Sequence, residues 1–205
     1  MEDQNKVYVK VIDYKTGNTS FDLVYLYHGL QLQLMIYLDG ALRVEQKKYP
    51  DKEIIPCRVV FYYNIKDPMI QEKIDADVEA VSAGLMKELK MNGLAQADPE
   101  LVYRMDSSLG SIPVAFNKDG SFRKNSSVAD RTQFAVLGRY VRTKIEKIRS
   151  SILEGDAEVS PYELGKKNAC TYCPYMTVCG FDRRLSGYEF RRLKNFSDEV
   201  IWKAF

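Results

Sequence analysis

The sequence predicts an α/β fold, a mixed sheet flanked by helices, and three observations carry that expectation. Two segments place apolar side chains at every second position, Val7, Val9 and Val11 in one and Val59, Phe61, Tyr63 and Ile65 in the other, the period of a β-strand. Between them Leu30, Leu34, Tyr37 and Ala41 recur at helical spacing, which puts a helix between two strands in a β-α-β crossover. Beyond Gly155 the periodicity stops and Cys170, Cys173 and Cys179 cluster. That last segment is expected to wrap the core without building one of its own.

The elements follow in order. The first strand ends at the turn Thr16-Gly17-Asn18, and the helix starts near Asp22 or Tyr27 and runs to about Glu45. The second strand spans Ile54 to Ile65 and is ended by Asp67-Pro68, since the residue before a proline is driven out of regular structure. Val78, Val81, Leu85 and Leu89 mark a helix expected to close near Asn92-Gly93. Asp98-Pro99-Glu100 reads as an N-cap followed by proline at the first helical position, hence a short helix. Ile112 to Phe116, a turn at Asn117-Lys118-Asp119-Gly120 and a strand from Ser121 suggest a hairpin. Asp130 caps a long helix with the stripe Phe134, Leu137, Val141, Ile145, Ile148 and Ile152, stopping at Gly155. The expected organisation is a core over 1–155 and a cysteine segment with a C-terminal helix over 156–205.

Composition excludes several classes. With 45% hydrophobic and 28% charged residues the chain is globular rather than disordered. No apolar run is long enough to span a bilayer and Met1-Glu2-Asp3-Gln4 does not begin a signal peptide, so no membrane partner and a cytoplasmic location are expected. A net charge of +2 does not coat nucleic acid by electrostatics alone. A local patch would be needed, and Arg183, Arg184, Arg191, Arg192 and Lys194 among Tyr188, Phe190 and Phe196 offer one. The same residues also read as the solvated basic face of an amphipathic helix.

Asp13 and Lys15 stand two apart at the end of the first strand, so their side chains share one face about 7 Å apart. Such a pair suits phosphodiester hydrolysis. The carboxylate can hold Mg²⁺, with the Tyr14 backbone carbonyl as another hard oxygen ligand, and the lysine can orient a water or stabilise charge on the phosphorane oxygens. Taken alone, the pair also reads as a surface salt bridge. On the following helix, Gln33 and Tyr37 are four apart and stack on one face. Gln31 reads as solvent-facing; Gln33 is either a structural amide or, with Tyr37, part of the site's lining.

Cys170, Cys173 and Cys179 form C-x2-C-x5-C. Clustered thiols in a chain of this size are not a disulfide framework. Three thiolates in one loop converge on a metal, zinc or iron–sulfur, and want a fourth ligand. Cys57, at a strand edge, and the sole histidine, His28, are the candidates within the chain.

Asp13-Tyr14-Lys15-Thr16-Gly17, followed by Gly29-Leu30-Gln31-Leu32-Gln33-Leu34 and Tyr37-Leu38, resembles the RecB-like branch of the PD-(D/E)xK nuclease superfamily. In that branch a strand carries the acid and lysine and the next helix carries Q-x-x-x-Y. With the cysteine triplet in the same order, the resemblance extends over most of the chain to AddB-type subunits of helicase–nuclease complexes. It implies a restriction-endonuclease-like mixed sheet with a C-terminal iron–sulfur-type segment. It also implies Asp13, Lys15, Gln33 and Tyr37 as catalytic residues, with Asp13 and the Tyr14 carbonyl as magnesium ligands. Cys170, Cys173 and Cys179 would be ligands of a [4Fe–4S] cluster whose fourth cysteine lies outside this chain. The implied activity is Mg²⁺-dependent exonucleolytic DNA hydrolysis during repair of double-strand breaks, beside an AddA-type helicase–nuclease subunit.

The family carries a further metal-binding aspartate on the strand before the lysine strand, and a histidine upstream. Here few residues precede Val7, Glu2 and Asp3 are read as too close to form that strand, and His28 follows the motif. The chain is therefore expected to begin inside the active-site motif and to be a poor nuclease by itself. Two other readings stay open: a CRISPR-associated iron–sulfur nuclease, and a zinc-stapled DNA-binding module in which Asp13 and Lys15 are structural.

Overall fold

A computed structural model of the chain describes residues 2–3, 5–65, 67–69 and 77–205, with the side chains at 2, 3 and 55–58 outside the description. It divides into two compact units, Met1–Asp22 with Gln31–Val141, and Leu23–Leu30 with Arg142–Phe205.

The first unit is built on a five-stranded mixed sheet in the order β1-β2-β3-β4-β5. β2 (Lys6–Lys15) pairs in parallel with β3 (Glu53–Asn64), the expected consequence of a helix, α2 (Gln33–Lys48), joining them. Their register shifts where Val9 pairs with Pro56 and Lys10 with Val59. A proline donates no hydrogen bond and breaks a ladder at such a point. α2 packs on β2 and β3 through Leu34, Met35 and Leu38. The stripe read from sequence is thus rotated: Tyr37, counted there as an apolar stripe residue, is half exposed.

Several boundaries differ from the sequence reading. The first helix is two, α1 (Leu23–Tyr27) and α2, because Gly29 takes a left-handed φ of 81° that ends the first. Glu2 and Asp3 do form a strand, β1 (Glu2–Asp3), antiparallel to β2 opposite Val7 and Lys6. That correction leaves the site unchanged, since Val7 and Asp13 are about 20 Å apart along β2. Asn92-Gly93 does not close the third helix, α3 (Val78–Glu88), which ends at Leu89. The pair opens β4 (Asn92–Gln96), antiparallel to β3 with Gly93 opposite Phe61. Leu94, Ala95 and Gln96 are all buried, so a strand covered on both faces carries no alternation to read.

α4 (Pro99–Met105) starts as its sequence indicates, with the Asp98 carboxylate accepting from the Leu101 N–H at 3.3 Å. The expected hairpin shrinks to one antiparallel bridge, Phe116 to Phe122, closed by a turn with Gly120 at φ 82°. β5 (Val128–Ala129) runs parallel to β4. Val59, Phe61, Ala95, Leu101, Val102, Ile112 and Val114 form this unit's core cluster. α5 (Arg131–Leu153) opens on a capping box: Asp130 accepts from the Gln133 N–H at 2.7 Å and the Gln133 carboxamide accepts from the Asp130 N–H at 2.8 Å. Phe134, Leu137 and Val141 are buried, whereas Ile148 and Ile152, expected on the same stripe, are exposed.

The second unit holds α1, the last turns of α5, a small sheet and α7 (Asp198–Ala204). The sheet is β6 (Tyr162–Leu164) between β7 (Lys167–Asn168) and β8 (Arg191–Arg192). α1 packs on α7, where Tyr27 meets Phe196 and Phe205. No helix among the described residues is long and apolar enough to cross a membrane.

Candidate active site

Asp13 and Lys15 end β2 with their side chains on the same face, as the strand period requires. The Lys15 ammonium lies 2.9 Å from Asp13 Oδ2 and donates to Gln33 Oε1 at 2.7 Å. Gln33 Nε2 in turn donates to the Tyr37 hydroxyl oxygen at 2.7 Å. The direction of this relay is forced: an ammonium only donates, so the carboxamide oxygen must face Lys15 and its nitrogen must face Tyr37. The Tyr37 oxygen receives that bond, which leaves its own proton directed elsewhere on a half-exposed ring. The first turn of α2 therefore delivers both groups of Q-x-x-x-Y to the end of β2.

The Asp13 carboxylate is largely covered, 13% exposed against 26% for Lys15. Its Oδ2 is buried and lacks a hydrogen-bond partner. Lys15 is close to it but off hydrogen-bonding geometry, so the oxygen has a charge neighbour and no donor. The Lys15 ammonium already compensates its charge at 2.9 Å, and the oxygen keeps lone-pair capacity that a hard divalent cation could use. The Lys15 carbonyl accepts from the Ile65 N–H at 2.7 Å, on the β3 side. Successive carbonyls of a strand point in opposite directions, so the Tyr14 carbonyl faces away from β3. β1 pairs only with Lys6 and Val7. Tyr14 itself is exposed, its ring edge-on to Tyr63.

Tyr62, which the sequence reading passed over, completes the floor. It sits opposite Asp13 in the β2–β3 register, with Lys15 Nζ 5.6 Å above its ring, a cation–π distance. Burial first, then the negative charge of Asp13 and the proximity of Tyr37, push its phenol up to about 12. The signal available in the sequence was the aromatic run Phe61-Tyr62-Tyr63 on the neighbouring strand, but only the register turns it into a position.

The cysteines lie in the second unit on a turn and the single-turn helix α6 (Met176–Cys179). The Asn168 carboxamide oxygen holds the start of the turn, accepting from the Cys170 N–H at 2.9 Å and the Thr171 hydroxyl at 3.1 Å. All three thiols are free; Cys170 and Cys173 are half-buried and Cys179 exposed. The Cys170 thiol is pushed up by burial and then by Cys173 and Cys179, so the three lie within electrostatic reach. Among the described residues no three His, Cys, Asp or Glu side chains gather around a single metal-ion position. The donor set, three thiolates in a short loop, suits a multinuclear cluster. The Cys57 side chain lies outside the described residues. His28 is no ligand here: its Nε2 is 2.8 Å from the Lys194 carbonyl oxygen and its ring stacks on Phe196.

The basic C-terminal stretch is not the amphipathic helix that sequence allowed. Arg184 makes a bidentate pair with Asp182 at 2.6–3.0 Å and pulls that carboxyl down to about 2. Arg183 stacks over Phe190 at 5.4 Å, and Arg192 lies 3.7 Å from Glu163. Arg184 and Arg192 are thus paired with carboxylates, while Arg183 keeps its charge over an aromatic face.

A mixed sheet with an acid and a lysine two apart on one strand, that lysine bonded to a glutamine of α2 and the glutamine to a tyrosine one turn further on, is the arrangement of a nuclease class. The family model for the PD-(D/E)XK nuclease superfamily matches residues 1–180, and the chain belongs to that superfamily. Within it, the AddB-type resemblance is borne out by overall identity. The chain is 41% identical to the B-type polypeptide of the ATP-dependent helicase/deoxyribonuclease of Lachnoclostridium phytofermentans, over 98% of its own length and 18% of that protein. The protein of the same name from Clostridium kluyveri is 39% identical over 96% of this chain and 17% of its own. That of Bacillus cereus is 36% identical over 96% and 17%. The chain thus spans less than a fifth of the length of these curated relatives.

Proposed function

We propose that this chain carries the nuclease site of a helicase–nuclease complex and hydrolyses DNA phosphodiesters with Mg²⁺. The observation that carries the reading is the Lys15 ammonium between Asp13 and Gln33, at 2.9 and 2.7 Å, beside a buried carboxylate oxygen that has no donor. Asp13 and the Tyr14 carbonyl are the groups that would hold the ion. When bound, Mg²⁺ would polarise the scissile phosphate and acidify a water.

The chain's own residues do the rest. Lys15 carries positive charge toward the phosphate and stabilises the oxygens as they gain negative charge. Gln33 occupies one ammonium proton and so fixes where the others point. Tyr37, whose oxygen is engaged by Gln33, offers its proton to a phosphate oxygen. Tyr62, with its phenol held to about 12, stays neutral and adds no negative charge beside Asp13.

Cys170, Cys173 and Cys179 would supply three ligands to a [4Fe–4S] cluster, the fourth coming from elsewhere. The proposed organisation is a nuclease core over 1–155 and a cluster segment over 156–205. DNA is the substrate, an AddA-type helicase–nuclease chain the partner, and exonucleolytic processing of double-strand breaks the role; the names of the relatives support the DNA substrate and a helicase partner.

The test is metal dependence in the protein that contains this chain. EDTA should abolish cleavage of end-labelled duplex and Mg²⁺ should restore it. Asp13→Asn should not respond to Mg²⁺ at any concentration the wild type uses; restored cleavage in that variant would refute the assignment.

A further inference from the structure

Three side-chain amides hold the loop that joins the two halves of the site. The loop follows Lys15, and its return leads to α2 and Gln33. Asn64, the last residue of β3, accepts from the Thr19 N–H at 3.1 Å and donates to the Thr19 carbonyl at 3.0 Å. Asn92, the first residue of β4, donates to the same carbonyl at 2.9 Å and accepts from the Phe21 N–H at 2.7 Å. Gln31 accepts from the Asp22 N–H at 2.9 Å and donates to the Ser20 carbonyl at 2.8 Å. The solvent-facing role expected of Gln31 is corrected by these two bonds.

Each amide uses both its donor and its acceptor on main chain, as a peptide group in a ladder does. A surface loop could satisfy these backbone groups with water. Here they are fixed instead to the ends of two sheet strands and to the residue two before Gln33. The fixing matters at α2 because that helix has no side-chain cap of its own; Leu32 occupies the N-cap position without a side-chain hydrogen bond. Beside the packing of Leu34, Met35 and Leu38, the Gln31 latch ties the start of α2 to a loop that Asn64 and Asn92 hold.

From this we infer that Gln31, Asn64 and Asn92 are positioning residues for hydrolysis: they place the loop so that Gln33 Oε1 meets the Lys15 ammonium. The inference rests on the nuclease reading of Asp13 and Lys15. None of the three touches the relay, so their effect passes through backbone placement, where small displacements weaken alignment steeply.

Isosteric acids test it. Gln31→Glu keeps acceptance from Asp22 and loses donation to Ser20; Asn92→Asp keeps acceptance from Phe21 and loses donation to Thr19. Two readouts are taken well below each variant's melting temperature. One is kcat and KM for DNA cleavage by the protein containing this chain. The other is the Gln33 side-chain amide resonance of the metal-free chain, identified by its loss in Gln33→Glu.

Placement of the relay by the amides predicts a fall in kcat on the order of tenfold, with KM within about twofold, and a shifted or broadened Gln33 resonance. An unmoved kcat, or an unmoved Gln33 resonance, in both folded variants overturns it and leaves the amides as stabilisers of the loop alone. Asp13→Ala separates the two claims. If that variant cleaves like wild type, the nuclease assignment fails, and with it the inference. If it is dead while the amide variants match wild type in both readouts, only the inference fails.

Discussion

Replacing Gly93 by alanine should cost this fold more than any other single methyl group added to the β3–β4 pair. Gly93 lies opposite Phe61 at φ 153°, a conformation that side chains rarely adopt. A Cβ there would overlap the Val60 carbonyl oxygen and stand 2.8 Å from Phe61 Cα. Both obstacles are backbone atoms of a central strand, so no rotamer change relieves them. Backbone strain of about 1–3 kcal/mol adds to overpacking of about 1–3 kcal/mol, and about 4 kcal/mol is a fair centre. At roughly 2–4 °C per kcal/mol for a chain of this size, the melting temperature should fall by about 8–16 °C. Circular-dichroism melts of the wild-type and variant chains read this directly. The neighbouring Asn92 clamps the loop of the site, so the same variant should also lose cleavage. The control is Gly40→Ala, on α2 with nothing within 4 Å of the new carbon, which should gain about 0.5–1 kcal/mol. A Gly93→Ala chain melting within about 3 °C of wild type would refute the packing argument.

Lys15→Ala should lower kcat by about 10²–10³, the scale for removing one donor from developing charge, while divalent-ion binding at Asp13 survives. Mn²⁺ titration followed by electron paramagnetic resonance checks the second half. The Tyr62 phenol is raised from 10.0 to about 12 by burial first and then by Asp13. Its contribution to stability is therefore complete below about pH 10 and is lost as pH rises to about 12, roughly 3 kcal/mol in all. Tyr62→Phe should lack that loss in urea denaturation compared at the two pH values. Anaerobically purified chain should carry less than one [4Fe–4S] cluster by iron and sulfide analysis, because Cys170, Cys173 and Cys179 provide three thiolates where four are wanted. A full cluster unaffected by Cys57→Ser would contradict this.

What was legible in the sequence was local. The period-two segments became β2 and β3, the helix between them made the pair parallel, and the Asp98-Pro99 and Asp130 signals started α4 and α5. Strand period paired Asp13 with Lys15 and helical spacing paired Gln33 with Tyr37; the resemblance to the nuclease family joined the two pairs into one set. What was missed depends on tertiary placement. β4 is covered on both sides, so its residues show no alternation, and Asn92-Gly93 passed for a helix terminus. Gln31, Asn64 and Asn92 bond only to main chain brought near by folding. Tyr62 becomes part of the site only through the register that sets it against Asp13. The break between α1 and α2 had one local sign, Gly29, which takes the left-handed conformation that closes the first helix.

The central claim is that Asp13 is the metal-holding carboxylate of a DNA-cleaving site. The most direct measurement compares wild type and Asp13→Ala, in the protein containing this chain, for cleavage and for DNA binding under the same Mg²⁺ conditions. The account predicts that Asp13→Ala binds duplex ends with nearly unchanged affinity and no longer cleaves them, because the Lewis acid is lost while the binding surface is kept. Cleavage at the wild-type rate by Asp13→Ala would contradict it.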